Sequence, residues 1–275
     1  MKANSYRTHH CEEINESLLG HEVTVSGWVE AIRDHGGVLF LDLRDTTEVL
    51  QVVSNDDKVF RGITKESVIR VKGVIRKRDE ETYNPKLKTG TVELLVSSLD
   101  ILSKVKEILP FEIRQSKNSS EDVRLKYRYL DLRNKDVLKN FELRSEVLHF
   151  IRNKMVDLGF MEVQTPILTA TSPEGARDFV VPSRNFKGKF YALPQAPQIY
   201  KELLMVGGVE KYFQIAPCFR DEDARSDRTL EFYQLDFEMS YVEEEDVLEV
   251  GEEVFYDIFT KFSKKKVSPR PFKRL

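Results

Sequence analysis

Cysteine is nearly missing from this sequence: Cys11 and Cys218 are the only two among 275 residues. A single pair so far apart in the chain offers neither a disulfide framework nor the closely spaced ligands of a structural zinc site. Both read as reduced thiols, which fits a cytoplasmic protein. Long apolar runs are missing as well. None approaches the roughly 20 residues that a membrane-spanning helix requires, and the polar opening, residues 1–11, lacks the apolar stretch of a secretory signal. No membrane partner is expected. Excess positive charge is absent too, since 43 Lys and Arg stand against 46 Asp and Glu for a net charge of −3. A nucleic-acid binder can still confine its cations to one face. The basic clusters here, at 70–78, 124–133 and 261–266, are local, and the last reads as an ordinary solvated surface.

What is present is a globular composition, 40% hydrophobic and 32% charged, in a chain too long for one ordinary core. Two domains are expected. The first hundred residues read as β: alternation at 23–29, a β-rich run at 38–43 behind the turn signal of residues 34–37, and further strands at 49–53, 68–75 and 91–96. A short helical stretch at 56–63 separates the third strand from the fourth. Three strands, a short helix and two more strands are the order of an OB-fold barrel, expected over 1–103. From 104 to 130 the period is lost and charge rises, with 115–121 the strongest linker signal, so a hinge is expected there. A second domain is expected over 131–275. It opens on a helix at 137–158, whose apolar residues recur at three and four, with Asp136 placed to cap it and Gly159 to stop it. A short strand at 160–163 follows, and strands at 213–219 and 231–241 form a long hairpin around the polar loop 220–230. There is no internal repeat and no low-complexity segment.

The segment 218–241 carries the chemistry. Long hairpin tips are often merely charged and solvated, but the returning strand argues against that here. Phe232, Gln234, Asp236 and Glu238 alternate along it, which lines one face with a ring, an amide and two carboxylates. Such a face is expensive to bury without a ligand. It can stack a base and hydrogen-bond a polar substrate, while an arginine at the strand end supplies a fork for phosphate or carboxylate.

Phe219-Arg220-Asp221-Glu222 and the ending Phe232, Gln234, Asp236, Glu238 resemble motif 2 of class II aminoacyl-tRNA synthetases, in the version of the aspartyl enzymes of bacterial type. Residues 159–166 (GFMEVQTP), behind a long amphipathic helix, resemble motif 1. Residues 172–178 (SPEGARD) and 190–201 (FYALPQAPQIYK) resemble that family's substrate loop and amino-acid pocket. One such match would be weak; four in the right order are specific. The implied fold class is α+β, an N-terminal OB barrel followed by part of an antiparallel-sheet catalytic domain.

The resemblance implies a role for each matching residue. Arg220 would hold the α-phosphate of ATP and the substrate carboxylate. Asp221, Glu222 and Thr229 lie where the family contacts ATP, and Phe232 would stack on adenine. Gln198 and Lys201 would read L-aspartate, Lys201 by pairing its side-chain carboxylate. Asp236 would place the α-ammonium group and Lys201, and Glu174 sits on the loop that closes over the amino acid. A lysine on a helix is ordinarily a surface residue; the P-Q-x-x-K context of Lys201 is what favours function. Arg177 and Asp178 are weaker candidates, since an adjacent pair on a loop can simply bind each other or water. Catalysis of this kind is positioning plus electrostatics, with no nucleophile from the protein. Pro166 and the motif 1 helix imply a homodimer.

In the first domain the resemblance implies an anticodon reader. Phe40 would stack on the central base and Gln51 bond its edge, Arg33 would meet the third base, and Glu93 the first. Arg78 and Asn84, on the intervening loop, are weaker candidates. Taken alone, Phe40 in the run VLFLDL also reads as a core aromatic. Enzymes of the family restricted to tRNA(Asp) tend to carry leucine and lysine where this chain has His35 and Glu81. Histidine at the first position resembles the subtype that also charges tRNA(Asn), which differs at the third anticodon base. The plain reading of His35 is an exposed turn residue.

The resemblance places motif 3, the second arginine for aspartate and the carboxylates for Mg2+ beyond Leu275, so no metal site is expected within this stretch. The piece alone is expected to bind tRNA without completing the reaction. Two alternatives stand beside this reading: a related lysyl- or asparaginyl-tRNA synthetase, and a truncated or non-catalytic anticodon-binding paralogue.

Overall fold

The computed structural model describes residues 3–34, 39–172, 174–223 and 225–274, apart from the Asp57 side chain. The chain forms two compact units, Met1–Lys139 and Asn140–Leu275. In the first, β1 (Glu22–Asp34), β2 (Leu39–Arg44), β3 (Val49–Ser54), β4 (Val68–Lys77) and β5 (Val92–Ser103) close a barrel in the order β1-β2-β3-β5-β4. Only β3 and β5 run parallel. This is the expected OB fold. Alternate residues fill its interior: Val23, Val25, Val29, Leu41, Leu43, Ile69, Val71, Ile75, Val92 and Leu94 are all buried in one cluster.

Two strands outrun their sequence signal for one physical reason. The register shifts between Val29 and Ala31 on β1, and between Lys72 and Gly73 where β4 meets β5. A bulge inserts a residue and flips the faces, so alternation breaks while the ladder continues. β1 therefore runs on to Asp34 and β5 to Ser103, past the ends that period-two reading gives.

The stretch expected as a hinge is ordered. It carries a 3-10 turn at Ile113–Asn118, then α1 (Glu121–Lys126) and α2 (Arg128–Asp131), around a small core of Phe111, Ile113 and Leu130. Elements of one or two turns are too short to show a period. The next helix, α3 (Lys135–Asp157), corrects one expectation: Asn134, not Asp136, caps it, with Asn134 Oδ1 accepting from the Asp136 N–H at 3.0 Å. Asn134 is held there because its amide also donates to Ile113 O at 3.0 Å and Ser116 Oγ at 3.1 Å. Asp136 sits inside the first turn and pairs with Lys117 and Lys139. Gly159, at φ +85°, ends the helix as expected.

In the second unit, β6 (Met161–Glu162) is followed by the small hairpin of β7 (Val180–Pro182) and β8 (Phe190–Ala192), then by α4 (Gln198–Val206). Next come β9 (Lys211–Phe219), β10 (Glu231–Met239) and α5 (Glu244–Phe262). β9 and β10 pair antiparallel over their whole length, and β6 joins β9 in parallel. One face of this sheet carries Phe213, Leu235, Phe237 and Met239, which pack with Ile151 and Met155 of α3 and Val254 of α5. Strand alternation turns Gln234, Asp236 and Glu238 to the other face. Among the described residues no helix is long and apolar enough to cross a membrane.

Candidate functional sites

On that polar face of the second unit, Lys201 reaches down from α4 between two carboxylates of β10. Its Nζ lies 3.0 Å from Asp236 Oδ1 and 3.0 Å from Glu238 Oε2. Burial alone would lower the lysine's pKa, but the hydrogen bonds it donates to Asp236 and Glu238 outweigh that and hold the ammonium above the ordinary lysine range. One cation against two carboxylates leaves the cluster with an excess negative charge. Asp236 Oδ2 and the Tyr212 hydroxyl are buried there side by side, with no hydrogen bond of good geometry among the described residues. Burial, reinforced by the charge of Asp236, pushes the Tyr212 phenol well up. Unsatisfied buried groups of this kind are rare in native proteins, and an incoming ammonium group would satisfy the carboxylate.

At the loop end of the hairpin, the Arg220 guanidinium lies over the Phe232 ring, 5.0 Å from its centroid, and the Arg220 N–H donates to Leu230 O at 2.9 Å. The two residues that the sequence places twelve positions apart meet because the register pairs Phe219 with Glu231 and Cys218 with Phe232. Asp221 bridges to Arg177 through the backbone, its N–H donating to Arg177 O at 3.0 Å. Glu222 pairs with Arg228 at 3.7 Å, and the Thr229 hydroxyl donates to Glu231 O at 2.7 Å. These loop residues stand beside Arg220 but are engaged within the loop. Cys218, buried on β9, has its thiol pushed up to about 11 by burial, which makes it an inert core group.

Glu174 lies on an exposed loop, where Ser172 Oγ donates to its carboxylate at 3.0 Å. It lines a cavity of about 150 Å3 with Ser172, Ile199 and Tyr200. Gln198 is not drawn into the lysine cluster; its amide donates along α4 to Glu202 at 2.7 Å. Sequence reasoning missed two participants, Gln195 and Tyr212, and gave a third, Glu238, a place on the polar face but no role. Glu238 was signalled by its place two residues beyond Asp236 on the same face. Gln195, 1% exposed, pins the 172–178 loop by donating to Ala176 O at 2.9 Å and to Asp178, and by accepting from the Ala176 N–H at 3.1 Å. So Asp178 engages Gln195. Tyr212 gave no signal at all, since only the β9–β10 register sets it opposite Glu238.

A second polar row runs across the outside of the barrel in the first unit. Leu39, Leu41 and Leu43 of β2 turn toward the core, so Phe40 and Asp42 face outward, and Phe40 stands in register with Arg33. Arg33 makes a two-pronged bond to Asp42, at 2.6 and 2.7 Å. Asp42 stands in register with Gln51, whose amide donates to Glu93 at 2.7 Å, and Arg76 Nε donates to the other Glu93 oxygen at 2.6 Å. Four strands thereby bring Arg33, Phe40, Gln51 and Glu93 into one row, with Asp42 and Arg76 as members that sequence reasoning missed.

Arg78 is buried, its Nε donating to Val92 O at 3.0 Å, and burial lowers its pKa. It braces the loop that carries Asn84, whose Oδ1 accepts from the Lys86 N–H at 3.1 Å. Gly90 closes that loop against the Asn84 carbonyl, where a Cβ would collide. Glu81 is exposed on the 3-10 turn Glu80–Thr82. His35 lies outside the described residues. Among the described residues no three His, Cys, Asp or Glu side chains gather to hold a metal ion, the acidic hairpin tip included.

Residues 23–102 match the OB-fold nucleic acid binding domain family, and residues 120–275 match the class II tRNA synthetases (D, K and N). The aspartate–tRNA(Asp/Asn) ligase of Anaplasma phagocytophilum (strain HZ) is 57% identical over 274 residues, covering 97% of this chain and 46% of that protein. The aspartate–tRNA(Asp/Asn) ligase of Ehrlichia ruminantium (strain Welgevonden) is 54% identical over 271 residues, covering 96% and 46%. Asparaginyl-tRNA synthetase from Pyrococcus horikoshii, solved with asparaginyl-adenylate, superposes with a TM-score of 0.79 at 25% identity, covering 92% of this chain and 58% of that one. The chain spans about half the length of the curated relatives it matches. With a barrel that matches one model and a motif 2 hairpin inside the span of the other, the chain belongs to the class II tRNA synthetases of the D, K and N group.

Proposed function

We propose that the whole protein is an aspartate–tRNA ligase of the cytoplasm that activates L-aspartate with ATP and charges tRNA(Asp) and tRNA(Asn). The observation that carries this reading is the cluster of Lys201, Asp236 and Glu238, a cation beside surplus, partly unsatisfied negative charge. It suits an amino acid with an acidic side chain: Lys201 pairs the side-chain carboxylate and Asp236 Oδ2 takes the α-ammonium group. Gln198 turns from Glu202 to the substrate, and Glu174 closes over it. Arg220 bridges the α-carboxylate and the α-phosphate of ATP, adenine stacks on Phe232, and Asp221, Glu222 and Thr229 line the nucleotide. A carboxylate oxygen of aspartate attacks the α-phosphorus and pyrophosphate leaves; a ribose hydroxyl of tRNA then attacks the aspartyl carbonyl and AMP leaves. Arg220 stabilises the charge that builds in the first step. The Mg2+ that the family uses would take its ligands from the part of the protein outside this stretch, as the resemblance implies.

On the barrel, Phe40 stacks the central anticodon base, Gln51 bonds its edge, Arg33 meets the third base and Glu93 the first. Arg78 and Asn84 shape the adjoining loop. His35 and Glu81 relax the choice between the two tRNAs, and α3 supplies the homodimer contact. The test is ATP–pyrophosphate exchange by the full-length protein with aspartate, asparagine and lysine in turn. It is followed by aspartylation of purified tRNA(Asp) and tRNA(Asn). Exchange driven by asparagine or lysine would overturn the substrate, and a thousandfold slower charging of tRNA(Asn) would overturn the relaxed choice.

A further inference from the structure

The bond between Arg33 and Asp42 has a counterpart on the same barrel face. Each arginine of the row is matched by a carboxylate: Arg33 by Asp42 at 2.6 and 2.7 Å, and Arg76 by Glu93 at 2.6 Å. The matching does not follow from burial, since the Arg33 side chain is 44% exposed and water could solvate it. Asp42 is only 17% exposed and stands in register with Gln51, so its position is set by the ladder and by its neighbours. The fork therefore joins one largely buried partner to one exposed one. An arginine left free on an RNA-binding face finds phosphate, which is present at every nucleotide and carries no sequence. An arginine whose two terminal nitrogens are held by a carboxylate has lost much of that attraction. It keeps its Nε–H and the second hydrogen on each terminal nitrogen, now in a fixed orientation, to offer to a base edge.

We infer that Asp42 is a positioning residue for base choice: it cancels the phosphate-seeking charge of Arg33 and aims the remaining donors at the third anticodon base. The inference rests on the reading of this face as the anticodon site. It makes Asp42 a determinant of selectivity rather than of affinity. Replacing it should make binding less selective without making it weaker.

The test uses the chain as it stands and anticodon stem-loops of tRNA(Asp), with either the natural third base or a purine there, titrated at several salt concentrations. The parent is expected to prefer the natural loop. Asp42→Asn is expected to cut that preference at least fivefold, chiefly by tighter binding of the purine loop at low salt. Its log–log salt slope should steepen by about 0.7, the increment for one further phosphate contact on a single strand. Asp42→Glu keeps the charge but displaces the fork, so it should lose the preference while retaining the parental salt slope. A merely structural role would lower the melting temperature and weaken both loops alike. Preference within twofold of the parent in both variants overturns the inference, and so does a parent that binds both loops equally. A parent that binds neither loop instead overturns the anticodon reading itself.

Discussion

Lys201 and Asp236 are joined by a 3.0 Å bond in which the lysine is 12% and the aspartate 11% exposed, and the second oxygen of Asp236 has no hydrogen bond of good geometry among the described residues. The pair is thus a half-satisfied site. Lys201→Leu leaves two carboxylates facing each other with no cation. Stranding a fully buried charge costs about 3–5 kcal/mol, and the loss here should fall below that because Glu238 is 32% exposed. In the full-length enzyme the variant should raise the requirement for aspartate far more than that for ATP. Adding Asp236→Asn should recover stability but not aspartate use; equal damage to both substrates points to misfolding. Because the folded-state pKa of Lys201 is raised, its contribution is complete below the ordinary lysine range and is lost only as pH rises through the raised value. Melting curves at neutral pH should therefore show the pair intact.

Arg220→Ala should abolish aspartate-dependent pyrophosphate exchange, with a loss of about 3 kcal/mol or more in transition-state stabilisation. The same change strips the cation from the Phe232 face. Arg220→Lys should not rescue exchange, since an ammonium cannot bridge two anions as a fork. Near-normal exchange in either variant would place the nucleotide elsewhere.

Phe40 faces away from the barrel core, so Phe40→Ala should leave the melting temperature nearly unchanged. Binding of the anticodon stem-loop should weaken by about 1–3 kcal/mol, the value of one base on one ring. A folded variant that binds at parental strength removes Phe40 from the interface.

Asp45 is 5% exposed and accepts from the Cys11 N–H at 2.9 Å, the Thr47 N–H at 2.8 Å, the Thr47 hydroxyl at 2.7 Å and the Glu48 N–H at 2.9 Å. Burial would raise its pKa, but these bonds prevail and lower it. Asp45→Ala should cost about 1–3 kcal/mol by stranding the donors. A group with a depressed folded-state pKa stabilises above its unfolded value, about 3.9, and loses that contribution as pH falls through the folded one. The gap in urea midpoint between parent and variant should thus be full at pH 7 and close in acid. A constant gap would assign the effect to shape alone.

His35→Leu in the full-length enzyme should lower aspartylation of tRNA(Asn) more than that of tRNA(Asp). The difference is on the order of 1 kcal/mol, one hydrogen bond traded against water. Equal effects on both tRNAs return His35 to an ordinary turn residue.

The alternation of Val23, Val25, Val29 and of Leu41, Leu43 was enough to read the barrel, because a side-chain period of two is imposed by the strand itself. It failed at the bulges, where β1 runs on to Asp34 and β5 to Ser103, and it failed over 104–130, where helices of one or two turns leave no period. The cap of α3 was misread by two residues. Asn134 wins that place through bonds to Ile113 and Ser116, which lie 18 to 21 residues earlier.

By itself the sequence determined the family, the OB barrel and the polar hairpin, since these rest on residue type and local spacing. Tertiary structure alone decided the partnerships: Arg220 on Phe232, Arg33 on Asp42, Gln51 on Glu93, Gln195 beneath its loop, and Lys201 between Asp236 and Glu238 with Tyr212 opposite. The physical reason is register. Which side chains face each other across strands, or from helix to strand, depends on how the ladder is aligned, and a shift of one residue would exchange every partner for a residue of the opposite face.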